Sequence, residues 1–69
     1  MINIQEIAKN NDFTIESVEV KDHGTVIRGV GLNKLESMRL ELFENGHKKP
    51  ISCHREEGSC EAFMILWNA

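Results

Sequence analysis

Three tight-turn signals divide the chain into short segments, and this punctuation limits the fold more than any other feature. Asp22-His23-Gly24, Glu44-Asn45-Gly46 and Glu56-Glu57-Gly58 each end in a glycine. Glycine accepts the positive φ that tight hairpins require, and Asn-Gly is the strongest short-range hairpin signal among them. Leu32-Asn33-Lys34 is a fourth, weaker loop. Short segments between such turns are typical of antiparallel strands.

The segments themselves carry strand patterns. Thr14–Lys21 and Thr25–Gly31 flank the first turn and are rich in Val, Ile and Thr, which favour a pleated sheet. In Ser37–Glu44, apolar residues recur at positions 38, 40 and 42, a period of two that predicts a strand with one buried face. Ahead of them, Ile2–Asn10 has apolar residues at the spacing of a short amphipathic helix. The predicted strands are Thr14–Lys21, Thr25–Gly31, Ser37–Glu44, His47–Arg55 and Cys60–Trp67.

Loop lengths predict how the last three strands pair. A two-residue loop at Asn45-Gly46 and a four-residue loop at Glu56–Ser59 set the cross-strand partners, and side chains on each strand alternate between faces. All the paired side chains then share one face of the sheet. The predicted pairs are Leu40 with Ile51, Met38 with Cys53, Ile51 with Met64, and Cys53 with Ala62.

Two features of the last two strands complete the fold prediction. Pro50 cannot donate to a ladder, so we expect it at an edge, a bulge or the start of a strand that begins at Ile51. Both faces of the last strand are apolar, so an N-terminal helix is expected to cover one, and a barrel-like curl or a second subunit the other. The predicted class is α+β: a short N-terminal helix followed by about five antiparallel strands, as an open meander or a small SH3/Sm-like barrel.

Length and charge indicate one small globular domain, residues 1–69. A core of this size rarely supplies more than roughly 3–5 kcal/mol, so a dimer or a partner is a ready further source of stability. The net charge of −3 does not suggest the basic face typical of nucleic-acid binders. Residues 1–6 lack the pattern of a secretory signal, and the apolar run Ala62–Trp67 is far shorter than the ~20 residues that span a bilayer. We therefore expect a cytoplasmic protein without a membrane partner.

Metal and catalytic sites are weakly indicated. His47, Cys53, His54 and Cys60 are residue types that bind zinc, but no C-x-x-C or H-x-x-x-H spacing is present, and the predicted register separates Cys53 from His54. The same register makes the two cysteines diagonal neighbours, near or beyond the ~7 Å limit for a disulfide. Nucleophile–base pairs and phosphate-binding glycine motifs are also missing from the sequence. We predict no metal, no cofactor and no enzymatic activity.

Residues 18–42 resemble the first sequence motif of the Sm-like RNA-binding proteins, which consist of an N-terminal helix and five strongly bent strands. The resemblance consists of Gly24, then Gly29 five residues later, then the apolar residues at positions 38, 40 and 42. Leu35 stands where that family carries an aspartate, and Arg39 where it carries the base-contacting asparagine. The family's second motif is not recognisable after residue 46. The resemblance implies a bent, barrel-like sheet.

The function predicted from the sequence is non-catalytic binding to another protein. Phe63, Ile65 and Trp67 are the predicted contact residues, used also for a homodimer, because Trp in particular is favoured at interface hot spots. A small chain without site chemistry is typical of accessory regulators and inhibitors, including those that phages and other mobile elements encode. The alternative is an Sm-like nucleic-acid-binding protein that uses Arg39, Lys48 and Lys49.

Overall fold

The computed structural model describes residues 3–31 and 33–68, which form two helices and four strands. The predicted helix start at Ile2, and Leu32 of the fourth predicted loop, lie outside the described residues. The class is α+β, as predicted, and every strand pairing is antiparallel. The elements are α1 (Ile4–Asn10), β1 (Thr14–Lys21), β2 (Gly24–Val30), α2 (Leu35–Glu44), β3 (Ile51–Arg55) and β4 (Glu61–Trp67).

The strands form one open sheet in the order β1-β2-β4-β3. Strands β2 and β4 lie at the centre and β1 and β3 at the edges. The predicted hairpin at residues 22–24 joins β1 to β2, and Lys21 pairs with Gly24. Gly24 is the first residue of β2 and does not have the positive φ that the sequence signal implied. After β2 the chain forms α2 and then β3, which is the edge strand opposite β1. β4 then lies between β3 and β2. The predicted fifth strand and the barrel are absent from the described residues.

The largest error in the sequence prediction is Ser37–Glu44, which lies in α2 rather than in a strand. Met38 and Leu42 are buried, and Leu35, three residues before Met38, packs against the same core. This spacing is helical, whereas Leu40 is 50% exposed instead of sharing their face. The predicted pairs of Leu40 with Ile51 and of Met38 with Cys53 therefore do not form.

Asn45-Gly46 ends α2 instead of forming a hairpin. Gly46 has φ +115°, and its N–H donates to the Phe43 carbonyl at 3.2 Å while the His47 N–H donates to the Leu42 carbonyl at 3.1 Å. These two bonds form the Schellman motif, which satisfies carbonyls at a helix C-terminus and requires a residue that tolerates positive φ. The glycine signal was read correctly as a positive-φ position, but the element before it is a helix.

The pairing of β3 with β4 differs from the prediction by two residues. Ile51 faces Leu66 and Cys53 faces Met64, whereas the prediction paired them with Met64 and Ala62. A shift of two keeps every side chain on its predicted face. β3 begins at Ile51, directly after Pro50, as expected for a residue that cannot donate to the ladder.

Both helices pack on the same face of the sheet. The sheet contributes Ile27, Ala62, Met64 and Leu66 to a core that the helices complete. Met64, at the centre, is fully buried between Ile27 of β2 and Cys53 of β3. The core residues from the helices and the α1–β1 connection are Ile7, Ala8, Phe13, Met38 and Leu42.

Candidate protein-binding surface

The face of the sheet opposite the helices has an apolar centre. Side chains alternate along β4, so Phe63, Ile65 and Trp67 point away from the buried Met64 side, as the sequence predicted. Val26 of β2 pairs with Ile65 and lies on the same face. These four residues, Val26, Phe63, Ile65 and Trp67, are here called the open-face stripe. Each is half-buried, and no helix or strand of residues 3–31 and 33–68 forms a layer over them.

Phe63 is flanked by two polar side chains from the neighbouring strands. The Arg28 guanidinium lies 5.3 Å from the centre of the Phe63 ring, and the His54 ring centre lies 5.2 Å from it at an interplanar angle of 38°. Both contacts follow from the register, since Phe63 pairs with Arg28 on one side and with His54 on the other. A cation within ~6 Å of an aromatic ring is attracted by the ring's negative face. Arg28 and His54 thus bound this end of the stripe.

Trp67 forms the other end of the stripe. Its Nε1–H donates a hydrogen bond of 2.9 Å to the Ser52 hydroxyl of β3, which orients the indole across the sheet. A small cavity of about 150 Å³ opens beside it, lined by Val26 and Ile65 with Lys21, His23 and Gly24. An oriented indole next to an apolar recess is a suitable anchor point for a partner side chain.

The Phe63 end of the stripe opens into a larger, acidic cleft. The cleft has a volume of about 420 Å³, and Glu16, Glu56 and Glu61 line it together with Arg28 and His54. None of these three carboxylates accepts a hydrogen bond or forms an ion pair with any side chain in the described part of the chain. The stripe therefore runs from an apolar recess at Trp67 to a negatively charged end beside Phe63.

The residues of the predicted nucleic-acid site also come together, but around a helix rather than on a barrel. Arg39 of α2 and Lys48 and Lys49 of the following loop line one cleft of about 390 Å³ with Leu40, Phe43, Pro50 and Ile51, here called the α2 cleft. Arg39 forms an ion pair with Glu36 at 3.1 Å. Lys48 donates to the Phe43 carbonyl at 3.0 Å, and its ammonium lies 4.3 Å from the centre of the Phe43 ring.

The four residues weighed for zinc do not converge. Cys53 faces the helices and His54 the open face, as predicted, while His47 follows α2 and the exposed Cys60 precedes β4. No three His, Cys, Asp or Glu side chains in residues 3–31 and 33–68 are grouped so as to hold a metal ion. Both cysteines are free thiols. Burial raises the pKa of the Cys53 thiol, with nearby Arg39 opposing the shift and Glu36 adding to it.

Four large apolar side chains that the sequence does not predict at the surface are exposed. Val18 and Val20 lie on the helix-facing side of the edge strand β1, beyond the cover of the helices, and Val20 is 83% exposed. Leu40 and Phe43 lie on the outer side of α2. Reading residues 35–44 as a helix would have identified the second pair, because Leu35, Met38 and Leu42 occupy the opposite face.

Comparison with known proteins assigns no family. No family model matches the sequence, and no curated protein or solved structure gives a significant match. No helix within the described ranges is long and apolar enough to cross a membrane.

Proposed function

We propose that this protein is a non-catalytic binding module that acts by contacting another protein through the open-face stripe. The observation that supports it is that, among the residues that the structure describes, the helices cover one face of the sheet and no layer covers the other. The predicted barrel closure, which would have covered the second face within one chain, does not form in the described residues. A partner molecule remains as the cover for Phe63, Ile65 and Trp67.

The composition of the stripe also favours a protein as the partner. Interfaces concentrate aromatic and Arg anchors in a desolvated centre with a polar rim. Here Trp67 and Phe63 are the aromatic residues of the stripe, the Arg28 guanidinium lies against the Phe63 ring, and Ser52 and His54 are polar neighbours. Adjacent carboxylates at Glu16, Glu56 and Glu61 favour a partner whose contact surface is basic at that end. A second copy of this chain is one partner to be tested, as a homodimer.

The biological role extends this proposal. A small cytoplasmic accessory protein that covers part of a larger partner, such as a regulator or an inhibitor encoded by a phage, fits an exposed contact surface without site chemistry. This extension is based on class-level association rather than on the geometry. The alternative, nucleic-acid binding through Arg39, Lys48 and Lys49, predicts binding that falls steeply with salt because phosphate contacts release counterions.

The test is affinity purification of the tagged protein from host lysate at low and high salt. We expect a specific protein to survive high salt, and Trp67→Ala to weaken its binding about thirtyfold or more, the ~2 kcal/mol that defines a hot spot. Val20→Ala is the matched control, since it truncates a more exposed apolar residue on the opposite face of the sheet. Thermal melting of both variants establishes that they remain folded.

Three results would contradict the proposal. In the first, the retained partner is bound equally by wild type and a folded Trp67→Ala variant. In the second, Val20→Ala causes the same loss as Trp67→Ala. In the third, the material recovered is nuclease-sensitive, is lost at high salt and depends on Lys48 and Lys49, as the alternative predicts. Sedimentation of the purified chain over a range of concentrations tests whether a second copy is the partner.

A further inference from the structure

The α2 cleft is a second surface whose lining residues indicate a class of ligand. Part of this lining is apolar. Leu40 and Phe43 are 50% and 49% exposed, although both are large apolar side chains. They lie one turn apart on α2, and Pro50 and the half-buried Ile51 continue the apolar lining across the cleft. The cleft of about 390 Å³ accommodates one or two apolar side chains of a ligand.

The rim of the α2 cleft is positively charged. Three of the chain's eight lysines and arginines, Arg39, Lys48 and Lys49, line this one cleft, although the chain as a whole has a net charge of −3. Arg39 and Lys48 have internal partners in Glu36 and the Phe43 carbonyl. Lys49 makes neither a hydrogen bond nor an ion pair with any described residue, so its charge is available to a ligand.

We propose that the α2 cleft binds a short acidic segment of a partner protein, with an apolar side chain between Leu40 and Phe43 and carboxylates at Lys49 and Lys48. Charge complementarity selects the acidic flanks, and the apolar lining selects the anchor. This surface lies on the helix side of the sheet, so the proposal is independent of the open-face stripe and goes beyond it. Together the two surfaces would allow the protein to bridge two partners.

The surroundings of the cleft favour a carboxylate peptide over a nucleic acid. Glu36, Glu41 and Glu44 of α2 lie outside the lining of the cleft, so they repel a polyphosphate backbone that extends along the helix but not a short peptide confined to the cleft. The Lys48 ammonium occupies one face of the Phe43 ring, which leaves less of that ring for stacking with a base. A compact peptide needs only the two lysines and the apolar lining.

The experiment is fluorescence anisotropy with a labelled short peptide in which Asp and Glu residues flank a Leu-Phe pair. We expect the wild-type protein to bind it, and to bind a version with the pair replaced by Ser-Ser about tenfold or more weakly, because burying one apolar side chain contributes that much. Leu40→Ser is expected to weaken binding about tenfold, and Lys49→Glu about fivefold, because an exposed ion pair contributes up to ~1 kcal/mol. Both sites are exposed, so both variants should fold.

Lys34→Glu is the matched control, because it makes the same charge reversal at an exposed residue beside the N-terminal end of α2. The proposal is overturned if the peptide does not bind, or if Lys34→Glu weakens binding as much as Lys49→Glu, which would indicate an effect of net charge alone. It is also overturned if a single-stranded oligonucleotide binds more tightly than the peptide and is lost in Lys49→Glu. Trp67→Ala should leave peptide binding unchanged, so this proposal and the proposed function fail separately.

Discussion

Position 29 requires glycine because the backbone of the neighbouring strand lies too close to it for a side chain. A Cβ atom there would lie 2.2 Å from the Thr14 carbonyl oxygen and 2.7 Å from the Phe13 ring. The register of β1 shifts between Ile15 and Ser17, so the irregularity lies in the neighbouring strand, opposite Gly29. In the resemblance to the Sm-like proteins, this glycine implies a bent, barrel-like sheet. Its role in the structure is to admit the backbone and ring of the adjacent segment.

At the same scale, we expect the two thiols to react at different rates. Cys60 is exposed, whereas Cys53 is half-buried and its pKa is raised by burial, so less of it is present as the reactive thiolate. A thiol reagent at neutral pH should modify Cys60 about tenfold or more faster than Cys53. Mass spectrometry of partly modified protein measures both rates.

In the single variants Cys53→Ser and Cys60→Ser, the modification rate of each remaining thiol is measured separately. Because folding raises the pKa of Cys53, the neutral thiol is the form that the fold favours. The contribution of the neutral Cys53 thiol to the free energy of unfolding is present below the thiol's pKa in the unfolded chain, and it is lost as pH rises through the raised pKa in the folded protein.

Equal modification rates for the two cysteines in the native protein would show that Cys53 is not shielded by α2.

At the scale of elements, α2 shows why a short apolar pattern is ambiguous. Positions 38 and 42 satisfy both a period of two and helical spacing, so the distinction depends on Leu35 and Leu40. Residues 35–44 contain no β-branched residue and are mostly strong helix formers, which the sequence analysis did not use. Gly46 was equally ambiguous, since a hairpin and a helix C-terminus both require positive φ.

Alanine substitutions in α2 test its orientation. Leu42 is fully buried, so Leu42→Ala should lower the free energy of unfolding by about 2–5 kcal/mol through lost burial and the cavity left behind. Leu40→Ala should change it by less than about 0.5 kcal/mol, because half of that side chain is already in water. Urea denaturation monitored by circular dichroism measures both.

The two leucines serve as controls for each other, since the same atoms are removed two positions apart. A strand with residues 38, 40 and 42 on one face requires similar losses for both. If Leu40→Ala were as destabilising as Leu42→Ala, the assignment of residues 35–44 to a helix would be contradicted. Leu40→Ala also supplies a stable background in which to measure the role of Leu40 in the α2 cleft.

At the scale of the whole molecule, the strand order divides the sheet into a central pair and two edges. β2 and β4 each pair with a strand on both sides and contribute Ile27, Ala62, Met64 and Leu66 to the core. Among the described strands, β1 pairs with β2 alone, and β3, of five residues, pairs with β4 alone. Local opening is therefore expected to start at the edges.

Amide hydrogen exchange followed by NMR should find the most slowly exchanging amides in β2 and β4, with faster exchange in β1 and β3. β2 and β4 each pair with a strand on both sides and carry buried side chains, so we expect their hydrogen bonds to open only when the whole domain unfolds. Exchange is measured at two protein concentrations, so that protection arising from self-association is separated from the protection of the monomer. Greatest protection in β1 at low concentration would contradict this arrangement.

The sequence by itself determined the features that depend on neighbours along the chain. It predicted the α+β class, the first hairpin and the opposite faces of Cys53 and His54, and it offered a strand start at Ile51 as one of the alternatives for Pro50, because turn chemistry and side-chain alternation are local. The apolar face of Phe63, Ile65 and Trp67 also followed from alternation alone.

Only the tertiary structure decided between alternatives that local pattern leaves equal. Whether residues 37–44 form a strand or a helix depended on which of Leu35 and Leu40 the core buries, and the β3–β4 register on how Met64 is enclosed between Ile27 and Cys53. In α2 the burial of Leu35, Met38 and Leu42 agrees with the local helix propensity, whereas in the β3–β4 pair contacts between residues distant in sequence override the register that the loop length predicted. The α2 cleft arose in the same way, because the helix brings Leu40 and Phe43 beside Lys48 and Lys49.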